Sequence, residues 1–435
     1  MAISKQREKL FRDPVHDLIS FDLLDPGEVL LLRLIDTPEF QRLRRIRQLG
    51  MASMAYPGAE HTRYSHSLGS AHLARRMLQE LGKYIALDPE ECFVCLCAAL
   101  LHDLGHGPLS HIIERFLNIP HEERTIEIIL SEESAVNAVL RSHSASLPER
   151  VASLIHHDGT GNLYQSVISS QLDADRMDYL LRDSLMTGVK YGVYDLERIL
   201  KMLRVDETGQ RIVLDQKSLM AVEKYLQSRY HMYRQVYFHK TVTAAEAMLS
   251  ALLRRASALA MRGVLPEATE DGLLAKLLLR PRALTLSQYI DFDDATLMSW
   301  IKMWRTSEDS ILADLATRLL ERRLFKTIDL SWFESAVDER LERGKQLIAS
   351  AGLDPAYYFL RVESSDTPYS PYDPQRQTGG GPILIQDPVT GGVIDVEVLS
   401  PTINAFSHHS YTLTRIAFPD AVGEHALRPQ MQLLF

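Results

Sequence analysis

The sequence predicts a mainly α-helical fold that closes on a small C-terminal α+β lobe. Three observations carry that expectation. Apolar residues recur at helical spacing, with few breaks, from residue 67 to about residue 350. The stretch "PEECFVCLCAALLHD" (89–103) is apolar on nearly every face, which marks a central, buried helix. Beyond residue 350 the texture changes, with the Pro, Gly and Ser-rich loop "SSDTPYSPYDPQRQTGGGP" set among short β-branched and aromatic runs.

In chain order, residues 1–30 read as extended and irregular, with "FRDPVHDLISFD" forming a strand-and-turn pair. "DTPEFQRLRRIRQLG" (36–50) then opens a helix. Thr37 can cap it, Pro38 suits the first helical position and Gly50 can close it. "AEHTRYSHSLG" (59–69) reads as a loop leading into a helical stretch over 67–85, followed by the central helix. In the last quarter, "AYYFLRV", "PILIQD", "VIDVEVL" and "YTLTRIAF" read as short strands.

Composition narrows the function classes. Of 435 residues, 46% are hydrophobic and 24% charged, an ordinary balance for a chain that can bury a large core. A net charge of −9 argues against a general nucleic-acid coat or an anionic membrane surface. Cys92, Cys95 and Cys97 share one apolar stretch and read as buried hydrophobes, which fits a reducing cytoplasm. The first residues, "MAISKQREKLFRDP", carry no apolar signal-peptide core, and the longest apolar run, "CFVCLCAALL", is too short to span a membrane.

The chemistry concentrates in "LLHDLGHGPLSH" (100–111), where three histidines and an aspartate follow the buried helix. Neutral imidazole beside carboxylate suits a borderline divalent metal, and the glycines allow a sharp turn. A lone His-Asp pair is weak evidence, and "IHHDG" (155–159) supplies a second one. The set is what counts. His66 precedes His102, Asp175 follows Asp103, and each sits where a predicted helix begins or ends, so His66, His102, Asp103 and Asp175 can converge between helices.

The succession "FRDPVH", "DTPEFQRLRRIRQLG", "HTRYSHSLG", "LLHDLGHGPLSH", "QLDADRMDYLLRDS" and "YRQVYFHKTV" resembles the HD-domain deoxynucleoside triphosphate triphosphohydrolases from about residue 9 to about residue 245, and more loosely beyond. The resemblance implies hydrolysis of dNTPs to deoxynucleoside and inorganic triphosphate. It makes His66, His102, Asp103 and Asp175 the metal ligands, for Fe, Mn, Mg or Zn, with a separate Mg²⁺ carried by the triphosphate. It places His106, His111 and His121 along the phosphates. His111, backed by Glu114, is the candidate for protonating the leaving 5′ oxygen. Arg63, Arg229 and Lys240 are the implied cations of the phosphate site, with His239 a further candidate beside them. Gln48 and Asp183 are the implied readers of the sugar, with Tyr179 and Tyr237 as its wall. Tyr179 lies four residues after Asp175, on the same helical face, which places wall and ligand together on spacing alone.

The resemblance also implies a dimer or tetramer switched by GTP or dGTP at Lys9, Asp36, Gln41 and Arg44. It divides the chain into an N-terminal regulatory or interface segment (1–50), a metal-dependent core (51–200), a helical extension completing the pocket (201–350) and the α+β lobe (351–435). Two alternatives stay open at this point. One is an HD-type phosphodiesterase or (p)ppGpp-type hydrolase, which would keep the metal site without needing "YRQVYFHK". The other is a regulatory protein that binds single-stranded nucleic acid and retains a silent pocket; the intact ligand set and the shortness of "QRLRRIRQ" count against it.

Overall fold

The computed structural model describes residues 7–156, 162–331, 333, 337–366, 369, 382–387, 392–407, 411–422 and 425–435. The chain opens with a β-hairpin, β1 (Glu8–Asp13) and β2 (Asp17–Asp22), whose inner face buries Ile19 and Phe21. Helix α1 (Pro26–Ile35) follows, with Asp25 accepting from the amides of Gly27 and Glu28 at its N-cap. This helix replaces the extended chain expected up to residue 30.

The predicted helix over 36–50 is short. Thr37 and Pro38 start α2 (Pro38–Arg42) as expected, but a 3₁₀ turn, Leu43–Arg45, ends it. The backbone then extends, and Arg47 pairs with Thr62 in an isolated antiparallel bridge. Arg42 and Ile46 are buried, so the chain is drawn inward there and cannot wind on.

Helix α3 (Arg63–Leu81) starts four residues earlier than its periodicity predicts, because Arg63, Tyr64 and His66 are themselves buried. It packs between α4 (Pro89–Leu101) and α10 (Ala174–Thr187), and these three form the centre of the molecule. Short helices surround them: α5 (His111–Leu117), α6 (His121–Leu130), α7 (Ala135–Arg141), α8 (Leu147–Ile155) and α9 (Leu163–Ile168). After α11 (Leu196–Lys201), helix α12 (Leu219–Met232) passes through a π-helical turn, Tyr233–Tyr237, into the long α13 (Lys240–Met261). Next come α14 (Leu273–Leu279), α15 (Leu286–Asp291) and α16 (Asp294–Trp304).

The C-terminal strands pair with strands from earlier in the chain. β3 (Leu203–Val205), β4 (Ile212–Leu214), β7 (Leu384–Gln386) and β8 (Val393–Asp395) form one sheet, with β7 parallel to β4. β5 (Lys326–Asp329), β9 (Tyr411–Phe418) and β6 (Leu360–Asp366) form a second, wholly antiparallel one. Two predicted strands are half helix. Pro355–Tyr358 is a helical turn capped by Asp354 ahead of β6, and Val396–Leu399 is one capped by Asp395 after β8. In both, a capping aspartate overrides the β-branched and aromatic composition. Among the described residues no helix is long and apolar enough to cross a membrane.

Candidate active site

Helix α4 ends at His102, α3 begins at Arg63 and α10 begins at Ala174, and the three ends meet. His66 Nε2 lies 2.9 Å from Asp175 Oδ1 and 3.7 Å from Asp103 Oδ2. His102 Nε2 lies 3.4 Å from Asp103 Oδ1 and 3.6 Å from Asp175 Oδ1, yet makes no hydrogen bond of normal geometry although it is buried. The four residues expected as ligands therefore face one point.

The far side of each ring sets its tautomer. His102 Nδ1 is 2.9 Å from the carbonyl of Ala99, which can only accept, so Nδ1 carries the proton and Nε2 a lone pair. His66 Nδ1 is 2.8 Å from Asp178 Oδ2, with the same consequence. The two imidazoles and Asp175 make a donor set that one divalent cation satisfies, and Asp103 lies beside both rings, at 3.7 Å from His66 Nε2 and 3.4 Å from His102 Nε2. Burial alone would lower the His66 pKa; with no cation bound, Asp175, Asp178 and Asp103 outweigh it and push it up to about 10, so that Nε2 holds a proton which a bound metal would displace.

Asp178 is wholly buried behind His66. It also meets His16 Nε2 at 2.7 Å, and Arg182 binds both of its oxygens, at 2.8 and 2.9 Å. Arg182 reaches on to Asp13 at 2.8 Å, so the opening hairpin is tied to the site through buried charge. Gly69 makes room: a Cβ there would fall 1.8 Å from Asp178 Oδ1.

On one side of the cluster, His106 Nε2 lies 3.3 Å from Asp103 Oδ1, and its ring stacks on His121 at 3.7 Å. Burial, with Arg63 and His121 nearby, holds His106 well below its ordinary pKa, so it is neutral. Glu114, expected behind His111, lies 3.1 Å from His121 Nδ1. His111 opens α5, and its side chain lies outside the described residues. Arg63, expected on phosphate, is buried, donating to Asp103 Oδ2 at 2.6 Å and to Ser110 Oγ at 3.0 Å.

On the other side, the Tyr179 ring stands 6.5 Å from His66 and 6.4 Å from Tyr237. Tyr237 donates to Asp183 Oδ2 at 2.7 Å, and His61 Nε2 meets Asp183 Oδ1 at 2.7 Å. The Arg47–Thr62 bridge turns Gln48 and His61 to its opposite face, and the Gln48 amide donates to the His61 carbonyl. Gln48 Oε1 and His61 Nδ1 are buried without hydrogen-bond partners. Arg229 is buried above the Tyr233 ring, and Arg176 lies close enough to feel its charge. The π-turn that carries Tyr233 and Tyr237 is a feature common at functional sites.

The HD domain, as a family, matches residues 63–183, and the HD-associated region matches residues 194–266. The uncharacterized protein YwfO of Bacillus subtilis is 38% identical over 432 residues, covering 98% of this chain and 96% of that one. The chain belongs to the HD-domain family. Deoxynucleoside triphosphate triphosphohydrolase SAMHD1 of Gallus gallus is 31% identical over 290 residues, covering 57% of this chain and 45% of that protein. The crystal structure of a phosphohydrolase from Bacteroides thetaiotaomicron superposes with a TM-score of 0.79 at 29% identity, over 94% of this chain and 99% of that one. HD domains bind divalent metals, and His66, His102 and Asp175, with Asp103 beside both rings, are residues of this chain that could hold one. The protein is thus an HD-domain phosphohydrolase of the metal-dependent superfamily.

Other predicted residues of this HD-domain protein have different surroundings. His239 caps α13, its Nδ1 accepting from the Thr241 amide, and packs on Tyr56; Lys240 is exposed at the helix start. Arg44 donates to Gln41 Oε1 at 2.8 Å and lies 3.5 Å over the Tyr64 ring, while Asp36 is exposed at the end of α1. Lys9 is exposed on β1, its ammonium 5.8 Å from the Phe11 ring. Sequence reasoning missed the roles of Asp13, His16, His61, Arg176, Asp178 and Arg182. For Asp178 a signal existed: it stands three residues after Asp175 and four before Arg182, one helical face.

Proposed function

We propose that this HD-domain protein hydrolyses deoxynucleoside triphosphates to deoxynucleoside and inorganic triphosphate. One observation carries the reading. The Tyr179 ring stands between the metal-type donor cluster and the Tyr237–Asp183–His61 group, so one molecule can present phosphate to the first and sugar to the second. The similarity to proteins named deoxynucleoside triphosphate triphosphohydrolases supports it.

His66, His102, Asp103 and Asp175 would hold the metal, and their mixed N/O set favours a transition metal, iron, manganese or zinc, over magnesium, which travels with the triphosphate. When bound, the metal supplies Lewis acidity and lowers the pKa of coordinated water. Water adds to the α-phosphorus and gives up one proton, the P–O5′ bond breaks, and the 5′ oxygen takes one proton, so that none is gained or lost. His111 is the proposed donor of that proton, and Glu114, three residues on in the chain, is the carboxylate proposed to back it. Neutral His106, stacked on His121, lines the phosphate path. Arg63, Arg176 and Arg229 gather the local positive charge that a chain of net charge −9 needs for a polyanion. Gln48 and Asp183 read the 3′-OH by hydrogen bonds, while Tyr179 and Tyr237 close the space a 2′-OH would fill. Lys9, Asp36, Gln41 and Arg44 are proposed to hold a GTP or dGTP activator, and the active form to be a dimer or tetramer.

Incubation with each dNTP, each NTP and a cyclic dinucleotide, with products identified by mass, tests the reading. Deoxynucleoside and intact triphosphate are expected. Monophosphate with pyrophosphate, or cleavage of the cyclic substrate alone, rejects it.

A further inference from the structure

The segment "YIDFDD" (289–294) runs from the last turn of α15 into α16, outside both regions matched to families. Four of its six residues grip the two strips of chain that carry the site. Tyr289 donates its hydroxyl to the Gly105 carbonyl at 2.6 Å. The Phe292 carbonyl accepts from Arg42 Nε and Nη2, at 3.1 and 2.7 Å. The same guanidinium, wholly buried, donates to the His106 carbonyl at 2.8 Å and reaches that of Leu104 at 3.4 Å. Asp293 binds Arg45. Asp294 accepts from the Leu109 amide through Oδ1 at 3.2 Å and from the Arg47 amide through Oδ2 at 3.1 Å.

The consequence is geometric. Three successive carbonyls, of Leu104, Gly105 and His106, are held from outside by Arg42 and Tyr289. The loop is thereby anchored by its backbone while the His106 ring lies inward, against Asp103 and His121. Asp294 spans the amides that adjoin Gln48 and Ser110, and so sets the spacing between the sugar strip and the phosphate strip. The loop needs such anchoring, because Leu109 and Ser110, neither of them glycine, have φ of 51° and 38°.

We propose that Tyr289, Phe292 and Asp294, acting with Arg42, are positioning residues that staple His106 and Gln48 into register for the reaction. None of the three is among the residues proposed above to hold metal or nucleotide. The catalytic consequence rests on the reaction proposed above; the staple itself does not.

Tyr289→Phe and Asp294→Asn in the full chain test it, since each keeps the shape of the residue. Expected are faster amide hydrogen exchange across residues 104–110 and a kcat on dNTP lower by about tenfold to a hundredfold, with KM, bound metal and Tm held. Combining Tyr289→Phe with His106→Ala is expected to cost no more than His106→Ala alone, because the staple acts through that ring. Unchanged exchange in both variants overturns the proposal, as does a loss that tracks bound metal or Tm, or one that adds to that of His106→Ala. If Asp294→Asn does not fold, Tyr289→Phe decides alone. If the wild type cleaves no nucleotide, the reaction is wrong, and the exchange measurement still decides the staple.

Discussion

His102 shows how one bond assigns a role. Its Nδ1–H is spent on the Ala99 carbonyl, so the face it turns to Asp103 and Asp175 is a lone pair. Asp103 has more duties, since Arg63 and His106 both lean on it. Asp103→Ala is therefore expected to remove bound metal and abolish turnover together, read by elemental analysis and a product assay; near-normal metal and activity would displace the site. His111→Ala should keep the metal and slow the chemical step by about two to four decades, the usual scale for losing a general acid. Loss of metal in that variant would make His111 a ligand or support instead. Tyr237→Ala removes both the proposed wall and a hydrogen bond to the Asp183 carboxylate, so ribonucleotides should begin to compete. An unchanged ratio of dNTP to NTP turnover would place the wall elsewhere.

At the scale of elements, close approach depends on what is missing from glycine. A Cβ on Gly105 would fall 2.0 Å from the His121 carbonyl and 2.4 Å from the Thr125 amide, both in the first turns of α6. Gly105→Ala should thus push α6 from the loop and part the His106–His121 stack. The expected cost is about 1–3 kcal/mol by denaturant titration, with reduced kcat. A second element-scale effect concerns the hairpin against α3. His72, on α3, lies 5.1 Å from His16 with its Nδ1 buried and unpartnered; Arg75, Arg76 and Asp178 also act on it. Burial, His16 and the arginines lower its pKa to about 4. The folded value lies below that of the free imidazole, near 6.5. The unfolded chain therefore binds the proton first, and stability present at neutral pH is lost as the pH falls from about 6.5 towards 4. His72→Gln should flatten that stretch of the stability curve, seen by urea titration at several pH values; an unaltered slope would assign it to other groups.

For the whole molecule the question is control. Arg44 and Gln41 are bonded to each other beside Tyr64, the residue after Arg63. The proposed activator set and the metal cluster therefore share the first turn of α3. GTP or dGTP should raise both oligomer mass and the rate on a second dNTP, and Asp36→Ala should erase both effects while sparing bound metal. Light scattering and a two-nucleotide assay decide it; full activity on one pure dNTP with no change of mass would mean a constitutive enzyme. The sheets matter at this scale too. Because β7 pairs with β4 and β9 with β5, the last quarter of the chain is built onto segments far upstream.

Tyr237 and Asp183 were named only from the resemblance of the motifs to a family. Helical spacing and residue types at helix ends were enough to name the helical class and to single out His66, His102, Asp103, Asp175 and Tyr179. Those properties are local: helical spacing, a buried helix ending in His-Asp, and a ligand and a tyrosine four apart on one face. The bonds that orient those residues were not legible, because each joins positions far apart in the chain: His16 to Asp178, His61 to Asp183, Arg42 to Phe292. Tyr289 stands in none of the quoted motifs, and His16, though it ends "FRDPVH", meets its partner Asp178 only in the fold. The helix expected over 36–50 failed for the same reason: burial of Arg42 and the Arg47–Thr62 bridge outweighed a correct cap. The sequence by itself determined which chemical groups are available to the site. Only the tertiary structure decided which way each one faces, because orientation is set by partners that meet when distant segments pack.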